Sequence, residues 1–398
     1  MSRQLISLSP DLRRLVEDGY DIDVVAGYLV VREVPYVDVH RTVRRGLLVS
    51  TLDVAGDKTV SPGDHQAWFA GSVPCDTEGK PLEGMVHANL EQNLGGGLRV
   101  NHLLCSKPIG REFVDYHEKV GVFALQISSP AMRIDPTATA RTGHIVASAA
   151  EETPFNYTDT SVARNNIGLL ADRISGQSIG IIGLGGTGSY ILDLVSKSPV
   201  KNIHLFDDDR FLQHNAFRAP GASSNADLAK HETKVRHFEQ LYSKLHKGII
   251  PHPIRMNSAR LALLDDLDFV FICIDDSSIK RVFVKHLEGR GRSFIDVGMG
   301  LYQTELGLAG TIRVTTSTPA MRDHVWERQR IPMPGGVGGG EGSDPYASNI
   351  QVAELNALNA SLAVIRWKRI YGFYADLAGE HFATYSIDGN HMTNEDIA

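Results

Sequence analysis

The sequence predicts an α/β protein with a Rossmann-like, doubly wound and mostly parallel sheet, preceded by a smaller β-rich or α+β domain. Three observations lead to this prediction. A glycine-rich turn at 183–188 follows a short apolar run and precedes an apolar helical pattern. From residue 178 onward, strand patterns alternate with helical patterns, which is typical of a parallel sheet covered by helices. Before residue 130, strand patterns are separated by turn residues without that alternation.

The length and charge of the chain narrow the class of protein. With 398 residues the chain is long enough for two domains. Its formal net charge of −7 and the lack of a long basic run argue against a nucleic-acid partner. The most apolar stretch, around 179–195, contains five glycines and an aspartate, so no membrane span is predicted.

Cysteine usage and the N-terminus predict a cytoplasmic location. The chain has three cysteines, and none forms a Cys-x-x-Cys pair, which indicates a reducing compartment and no zinc site. The first residues lack the long apolar core of a secretion signal.

Changes in composition predict the domain boundaries. Residues 131–160 are rich in Thr, Ala, Asp and Pro, and a linker is predicted there. This places a β-rich accessory domain at 1–130 and the α/β domain at 161–385. Within the latter, the glycine- and proline-rich residues 317–349 are predicted to form a mobile crossover loop. The polar residues 386–398 are predicted to be a frayed tail.

The accessory domain is predicted to contain one early helix and several strands. The helix begins at Pro10, and strands are predicted over 28–32, 47–52 and 120–127. The sequence Asp-Tyr-His-Glu at 115–118 resembles a catalytic cluster, but a solvated helix face explains it better.

The α/β domain is predicted to alternate strands with helices. The predicted strands cover 178–183, 202–207, 249–254, 268–274, 293–297 and 308–315. The predicted helices cover 188–198, 226–246, 278–289 and 350–371.

The glycine turn predicts an anion site formed by Gly183, Gly185, Gly186 and Gly188. Glycine lets the backbone approach a phosphate, and the first N–H groups of the following helix favour negative charge there. The turn also satisfies the dinucleotide fingerprint G-x-G-x-x-G, with acidic residues at 207–209 in the place of its ribose-binding acid. At this point an NAD(P)- or flavin-dependent oxidoreductase fits as well as an enzyme that consumes a nucleotide.

The residues after the second strand favour a nucleotide-consuming enzyme. Asn215, Arg218 and Lys234 follow the acidic strand end, and cations near a polyphosphate offset the charge that develops during displacement at phosphorus. A dehydrogenase has no such requirement. Asp275 ends a later strand, where a carboxylate suits a magnesium ion that bridges phosphates. Ordinary surface charge and a helix N-cap explain these residues singly, but not their order along one chain.

Taken in order, these motifs resemble the adenylation domain of ThiF/MoeB/HesA-type proteins, the ubiquitin-activating enzyme-like adenylyltransferases. The resemblance covers about residues 160–375. It rests on the motifs Gly183-x-Gly-Gly-x-Gly188, Asp207-x-Asp209, Asn215-x-x-Arg218, Thr233-Lys234-Val and Cys273-Ile-Asp275.

The resemblance implies a role for each motif residue. Asp207 and Asp209 would belong to the nucleotide site, with Asp209 on the ribose. The phosphates would be bound by Asn215, Arg218 and Lys234. Asp275 would hold Mg²⁺ and the reacting groups.

The resemblance also implies a reaction and partners. ATP would adenylate the C-terminal carboxylate of a ubiquitin-like protein in a bacterial conjugation pathway, and a conjugating-enzyme-like carrier could receive the product. A homodimer is expected, in which Arg164 would reach the site of the second subunit.

The chain departs from relatives that go on to form a thioester. It has no cysteine after Cys273, and Cys273 lies in a predicted buried strand, so core packing is its expected role. The chain would then stop at the adenylate, pass it directly to another carrier, or accept the activated carboxylate as an oxyester on a hydroxyl of Thr316, Ser317 or Thr318.

The N-terminal half resembles a segment that precedes ThiF-like domains in bacterial operons encoding a ubiquitin-like modifier and a peptidase. The motifs Asp21-Ile-Asp-Val and Val34-Pro-Tyr-Val carry that likeness, which implies partner recognition. Three alternatives stay open. They are an adenylyltransferase that acts on a small molecule, a peptide or a tRNA base, an NAD(P)-dependent oxidoreductase, and a non-catalytic scaffold.

Overall fold

A computed structural model describes residues 2–143, 153–165, 167–333 and 350–397 of the chain. The chain divides into two compact units, Met1–Asp172 and Arg173–Ala398. None of the helices in these described ranges has the length and apolar character that a membrane crossing requires.

Helices and strands alternate with turns along both units. The helices are α1 (Ser2–Leu8), α2 (Pro10–Glu17), α3 (Tyr116–Ile134), α4 (Thr160–Arg164), α5 (Gly168–Asp172), α6 (Gly186–Val195), α7 (Gln213–Ala216), α8 (Asn225–Ala229), α9 (Lys234–Tyr242), α10 (Ser277–Gly289), α11 (Asp323–Glu327) and α12 (Ala353–Ile370), with a 3-10 helix at Ser258–Leu264. The strands are β1 (Ile22–Val25), β2 (Tyr28–Val37), β3 (Val43–Thr51), β4 (Val54–Ala55), β5 (Lys58–Thr59), β6 (Gln66–Ala70), β7 (Val86–Gly95), β8 (Leu98–Cys105), β9 (Ser178–Ile182), β10 (Asn202–Phe206), β11 (Ile249–His252), β12 (Phe269–Ile272), β13 (Ser293–Thr304), β14 (Gly307–Ser317), β15 (Glu380–Ser386) and β16 (His391–Ile397).

The N-terminal unit is built on a six-stranded antiparallel sheet with the order β1-β2-β3-β6-β8-β7. Alternate residues of β2 contribute to the cores on opposite faces of the sheet. Leu29 and Val31 join a core with α2 and α3, whereas Tyr28 and Val30 join a second cluster that includes Ala163 of α4. The prediction of a β-rich domain before the α/β domain is thereby confirmed.

The strand predicted over 120–127 is wrong, because these residues lie within α3. Asp115 caps this helix, and its side chain accepts the backbone N–H of Glu118 at 2.9 Å. Phe123 and Ile127 recur at helical spacing and are fully buried. The cluster at 115–118 thus caps and begins a helix, as predicted, but the face is not a solvated one, because Tyr116 is fully buried.

The predicted linker 131–160 also differs from the structure. Its first residues continue α3 to Ile134, and residues 144–152 lie outside the described residues. The N-terminal unit extends to Asp172 because α5 packs against β7. A Cβ added at Gly168 would lie 2.0 Å from the carbonyl oxygen of Leu94, which shows how close this contact is.

The C-terminal unit is an eight-stranded sheet with the order β11-β10-β9-β12-β13-β14-β15-β16. The pairs from β11 to β13 are parallel, and those from β13 to β16 are antiparallel. In β12, Phe269 and Phe271 face a core with α6, α9 and α12, whereas Val270 and Ile272 face one with α10. Helices therefore cover both faces, and the predicted Rossmann-like class is confirmed.

Two C-terminal elements differ from their predictions. The helix predicted over 226–246 is divided into α8 and α9, because His231 adopts a left-handed backbone conformation (φ +50°). The tail predicted over 386–398 is not frayed: β16 pairs with β15 from His391 to Ile397. A polar segment is ordered here because the ladder satisfies its backbone groups.

The predicted crossover loop, 317–349, is only partly described. β14 continues to Ser317, and α11 lies within the first half of the loop. Residues 334–349 lie outside the described residues.

Candidate active site

The carboxyl ends of β9, β10 and β12 meet at a cavity of about 300 Å³ in the C-terminal unit, called the strand-end pocket below. Its lining includes Gly183, Gly185, Gly186, Thr187, Phe206, Asp207, Asp208, Asp209, Arg218, Lys234, Ile254, Arg255, Met256, Cys273, Asp275, Asp276, Gly298 and Gln351. In an open α/β sheet this edge is where ligands bind. Most of the predicted site residues are thus brought to one cavity.

The glycines of the turn have different structural roles. Gly183 has a positive φ of +91°, and a Cβ there would lie 2.6 Å from the carbonyl oxygen of Cys273. A Cβ on Gly188 would lie 2.0 Å from the carbonyl oxygen of Gly183, and Gly188 is not part of the pocket lining. A Cβ on Gly185 would meet nothing within 4 Å, because Gly185 borders the open pocket. Gly185 is therefore the position where a ligand can approach the backbone.

Asp207 was predicted to bind the cofactor, but both its oxygens are engaged by the backbone. One accepts the N–H of Leu184 at 2.7 Å, and the other accepts the N–H of Asp209 at 2.9 Å. Burial raises the pKa of the Asp207 carboxyl, and the nearby Lys234 ammonium opposes that rise. Asp207 therefore holds the glycine turn against the end of β10.

Lys234 begins α9 and extends into the pocket between two carboxylates. Its Nζ lies 2.6 Å from Oδ2 of Asp209 and 3.6 Å from Oδ2 of Asp207. A lysine ammonium has three N–H donors, so it can keep both contacts and still bind a phosphate oxygen. The exposed Asp209 carboxylate is the more accessible of the two acids.

Arg218 lines the pocket on a turn that Asn215 supports. Its backbone N–H donates to the carbonyl oxygen of Asn215 at 3.1 Å. The Asn215 side chain is buried and accepts the N–H of Leu212 at 2.8 Å, so it caps α7 and is not part of the pocket lining. The Nε of Arg218 is buried without a hydrogen-bond partner among the described residues. Such an atom suits an anionic ligand.

The adjacent acids Asp275 and Asp276 have different surroundings. Asp276 caps α10: its side chain accepts the backbone N–H of Ser278 at 3.0 Å, and it also lies 3.3 Å from Arg255. Asp275 is exposed at the pocket and forms no ion pair with the residues that the structure describes. The helix N-cap that could have explained Asp275 is therefore its neighbour Asp276. Asp275 is the carboxylate available to a ligand.

The apolar wall of the pocket was not among the residues predicted from the sequence. Phe206 ends β10, and Ile254 and Met256 follow β11. Their position at the carboxyl ends of neighbouring parallel strands was the pattern that could have indicated them. Together they form an apolar side of the pocket.

Cys273 follows β12 directly and is partly buried at the pocket. Burial raises the pKa of its thiol, with the Asp296 carboxylate as the next contribution. Since the thiolate is the reactive form, we expect Cys273 to stay unmodified by iodoacetamide at pH 7.5 in the folded protein. Peptide mass mapping checks this, with alkylation in denaturant as the control. Rapid native modification of Cys273 would contradict the packing role.

The hydroxyls predicted as acceptors lie in or next to a buried strand. Thr316, Ser317 and Thr318 are each less than one tenth exposed. Ser317 donates to Glu288 at 3.0 Å, and Thr318 lies 3.1 Å from His381. An acylated hydroxyl must be reachable, so the structure argues against an oxyester at these positions. Arg164, the arginine predicted to serve a second subunit, is exposed at the end of α4 in the N-terminal unit.

Comparisons with known proteins match both units. Residues 161–323 match the ThiF family, and residues 10–160 match a domain of unknown function, DUF6791. A search of curated proteins gives no match.

Solved structures resemble the chain at low identity. Escherichia coli MccB with ATP is 15% identical, covers 60% of this chain and 70% of its own, and has a TM-score of 0.43. MccB with AMPCPP and MccA is 16% identical, over 59% of this chain and 71% of its own, with a TM-score of 0.44. PaaA is 15% identical, over 58% of this chain and 76% of its own, with a TM-score of 0.44.

Proposed function

We propose that this chain, which contains a ThiF family domain over residues 161–323, activates a carboxylate by ATP-dependent adenylation. One observation carries the proposal: Arg218, Lys234 and Asp275 all line the pocket at the glycine turn. Two cations and an available carboxylate in that place suit phosphoryl chemistry and serve no purpose in hydride transfer.

The pocket fits ATP by its chemistry. The open space at Gly185 admits a phosphate, next to the backbone N–H groups at the start of α6. The buried, unpartnered Nε of Arg218 is a donor for an anion. The exposed carboxylate of Asp209 can accept ribose hydroxyls, and the apolar wall can pack against the base.

The proposed reaction is displacement at the α-phosphorus. A carboxylate oxygen of the substrate bonds to this phosphorus, and the bond to the bridging oxygen breaks, so the products are an acyl-adenylate and pyrophosphate. Arg218 and Lys234 offset the repulsion between the anionic substrates and stabilise the charge on the leaving group. No general base is needed because the carboxylate is ionised at neutral pH.

Asp275 would hold Mg²⁺. Its carboxylate is exposed and forms no ion pair among the described residues, and carboxylate oxygens are ligands that this ion prefers. When bound, the ion neutralises phosphate charge.

The substrate we propose is the C-terminal carboxylate of a ubiquitin-like protein. The resemblance of the ordered motifs to ubiquitin-activating enzymes supports this choice, as does the segment before the ThiF domain. On the same basis we propose a cytoplasmic homodimer in which Arg164 serves the second subunit, with a carrier protein that accepts the activated modifier.

ATP–pyrophosphate exchange tests the function. The full chain is incubated with a candidate ubiquitin-like protein, with the same protein lacking its last two residues, and with no added carboxylate. Exchange is expected only with the intact modifier, because its terminal carboxylate is the nucleophile. Exchange supported by a small acid, a peptide or a tRNA would support adenylation but would contradict the ubiquitin-like protein as its substrate. Reduction of NAD(P)⁺ without exchange would overturn the proposal, as would nucleotide-independent partner binding alone.

A further inference from the structure

Helix α12 places two fully buried asparagines one turn apart, Asn356 and Asn359. Residues three apart lie on the same face of a helix. Burying an amide costs free energy unless hydrogen bonds compensate it, and an apolar side chain would fill the same space without that cost. The contacts of the two amides therefore indicate their purpose.

Asn356 connects two elements that form the strand-end pocket. Its Oδ1 accepts the hydroxyl of Thr187 at 2.9 Å, and its Nδ2 donates to the carbonyl oxygen of Arg218 at 3.5 Å. The amide also lies against the first residue of α6, since a Cβ on Gly186 would be 2.0 Å from Nδ2. One side chain thus contacts both the glycine turn and the arginine turn.

Asn359 extends the same arrangement to a third part of the pocket. Its Nδ2 donates to the carbonyl oxygen of Gly298 at 3.0 Å, and Gly298 lines the pocket on β13. Gly298 has its own constraint, because a Cβ there would lie 2.8 Å from the Arg313 guanidinium. The two asparagines therefore connect α12 to α6, to the turn of Arg218 and to β13.

We propose that Asn356 and Asn359 are positioning residues of the adenylation site, with Asn356 acting through Arg218; this rests on the function proposed above. Asn356 holds the backbone of the residue whose guanidinium stabilises the leaving group. Its loss is expected to reduce turnover at saturating ATP more than it raises the KM for ATP, because charge on the leaving group is greatest in the transition state.

The experiment measures exchange kinetics and ATP affinity in the full chain. Asn356→Ala is expected to lower kcat about tenfold, the effect of about one hydrogen bond to a positioned group. Asn356→Leu keeps a similar volume and adds no charge but can neither accept from Thr187 nor donate to Arg218, so it should lose as much. Ser361→Ala is the matched control, because within the described part of the chain this hydroxyl donates to the carbonyl oxygen of Ala357 in the same helix. It should leave kcat unchanged.

A double-mutant cycle separates positioning from general destabilisation. In an Arg218→Ala background, Asn356→Leu should change exchange by about twofold or less, since the group it positions is absent. An undiminished effect in that background, with a lowered thermal midpoint, would overturn the inference and leave a structural role. The outcome is distinct from failure of the proposed function, in which the unmodified protein itself would show neither ATP binding nor exchange.

Discussion

Replacing Asp275 by alanine is expected to reduce ATP–pyrophosphate exchange by about a thousandfold, the size of loss seen when a group that stabilises charge in the transition state is removed. The carboxylate lines the strand-end pocket and is exposed there, and its removal breaks no ion pair with the described residues. The thermal midpoint should therefore stay close to that of the unmodified protein.

Asp276→Ala is the matched control for this prediction. Asp276 also borders the pocket, but its carboxylate is occupied as the cap of α10, where it accepts the N–H of Ser278 at 3.0 Å. Loss of an N-cap costs about 1 kcal/mol of stability, so this variant should unfold earlier and keep most of its exchange. Normal exchange in Asp275→Ala, or equal losses in both variants, would count against the assignment of Asp275.

Gly185→Ala is expected to weaken ATP binding, whereas Gly188→Ala is expected to destabilise the fold. A methyl group on Gly185 enters the open pocket, so the protein should fold normally while ATP affinity falls roughly tenfold or more. A methyl group on Gly188 would lie 2.0 Å from the carbonyl oxygen of Gly183, so this variant should lose about 3 kcal/mol or more of stability.

Chemical denaturation and ATP titration of both glycine variants provide the measurements. Gly185→Ala should keep the stability of the unmodified protein and bind ATP more weakly, whereas Gly188→Ala should be destabilised although its pocket lining is unchanged. If Gly185→Ala bound ATP normally, the phosphate would not approach the backbone at the glycine turn.

The sequence predicted those site residues that directly follow a strand pattern. A glycine turn after a strand and acids at the ends of two later strands mark the carboxyl edge of a parallel sheet, and Gly185, Asp209 and Asp275 lie at the pocket there. The sequence could not show which of two adjacent aspartates caps α10, since either has the required side chain. Nor could it show that both oxygens of Asp207 are taken by backbone N–H groups.

The sequence did not predict elements whose conformation depends on contacts with residues far away along the chain. The residues at 120–127 have an apolar pattern that also suits a strand, and the cap at Asp115 together with the core decides for a helix. The polar β16 is a strand because β15 pairs with it, and β15 is held in turn by β14. Asn356 looked like an ordinary helix residue because its partners, Thr187 and Arg218, lie far away in the sequence.

The central pairing of the C-terminal sheet has a consequence for synthesis of the protein. β9 pairs in parallel with β12, so that Ile179 lies opposite Phe269, and α12 closes over α6 only later in the chain. When the ribosome has just synthesised the glycine turn, the pocket is therefore incomplete, because β12 and α12 are not yet translated. Long-range parallel contacts of this kind form slowly. A nascent chain should gain affinity for nucleotide only after α12 has left the exit tunnel.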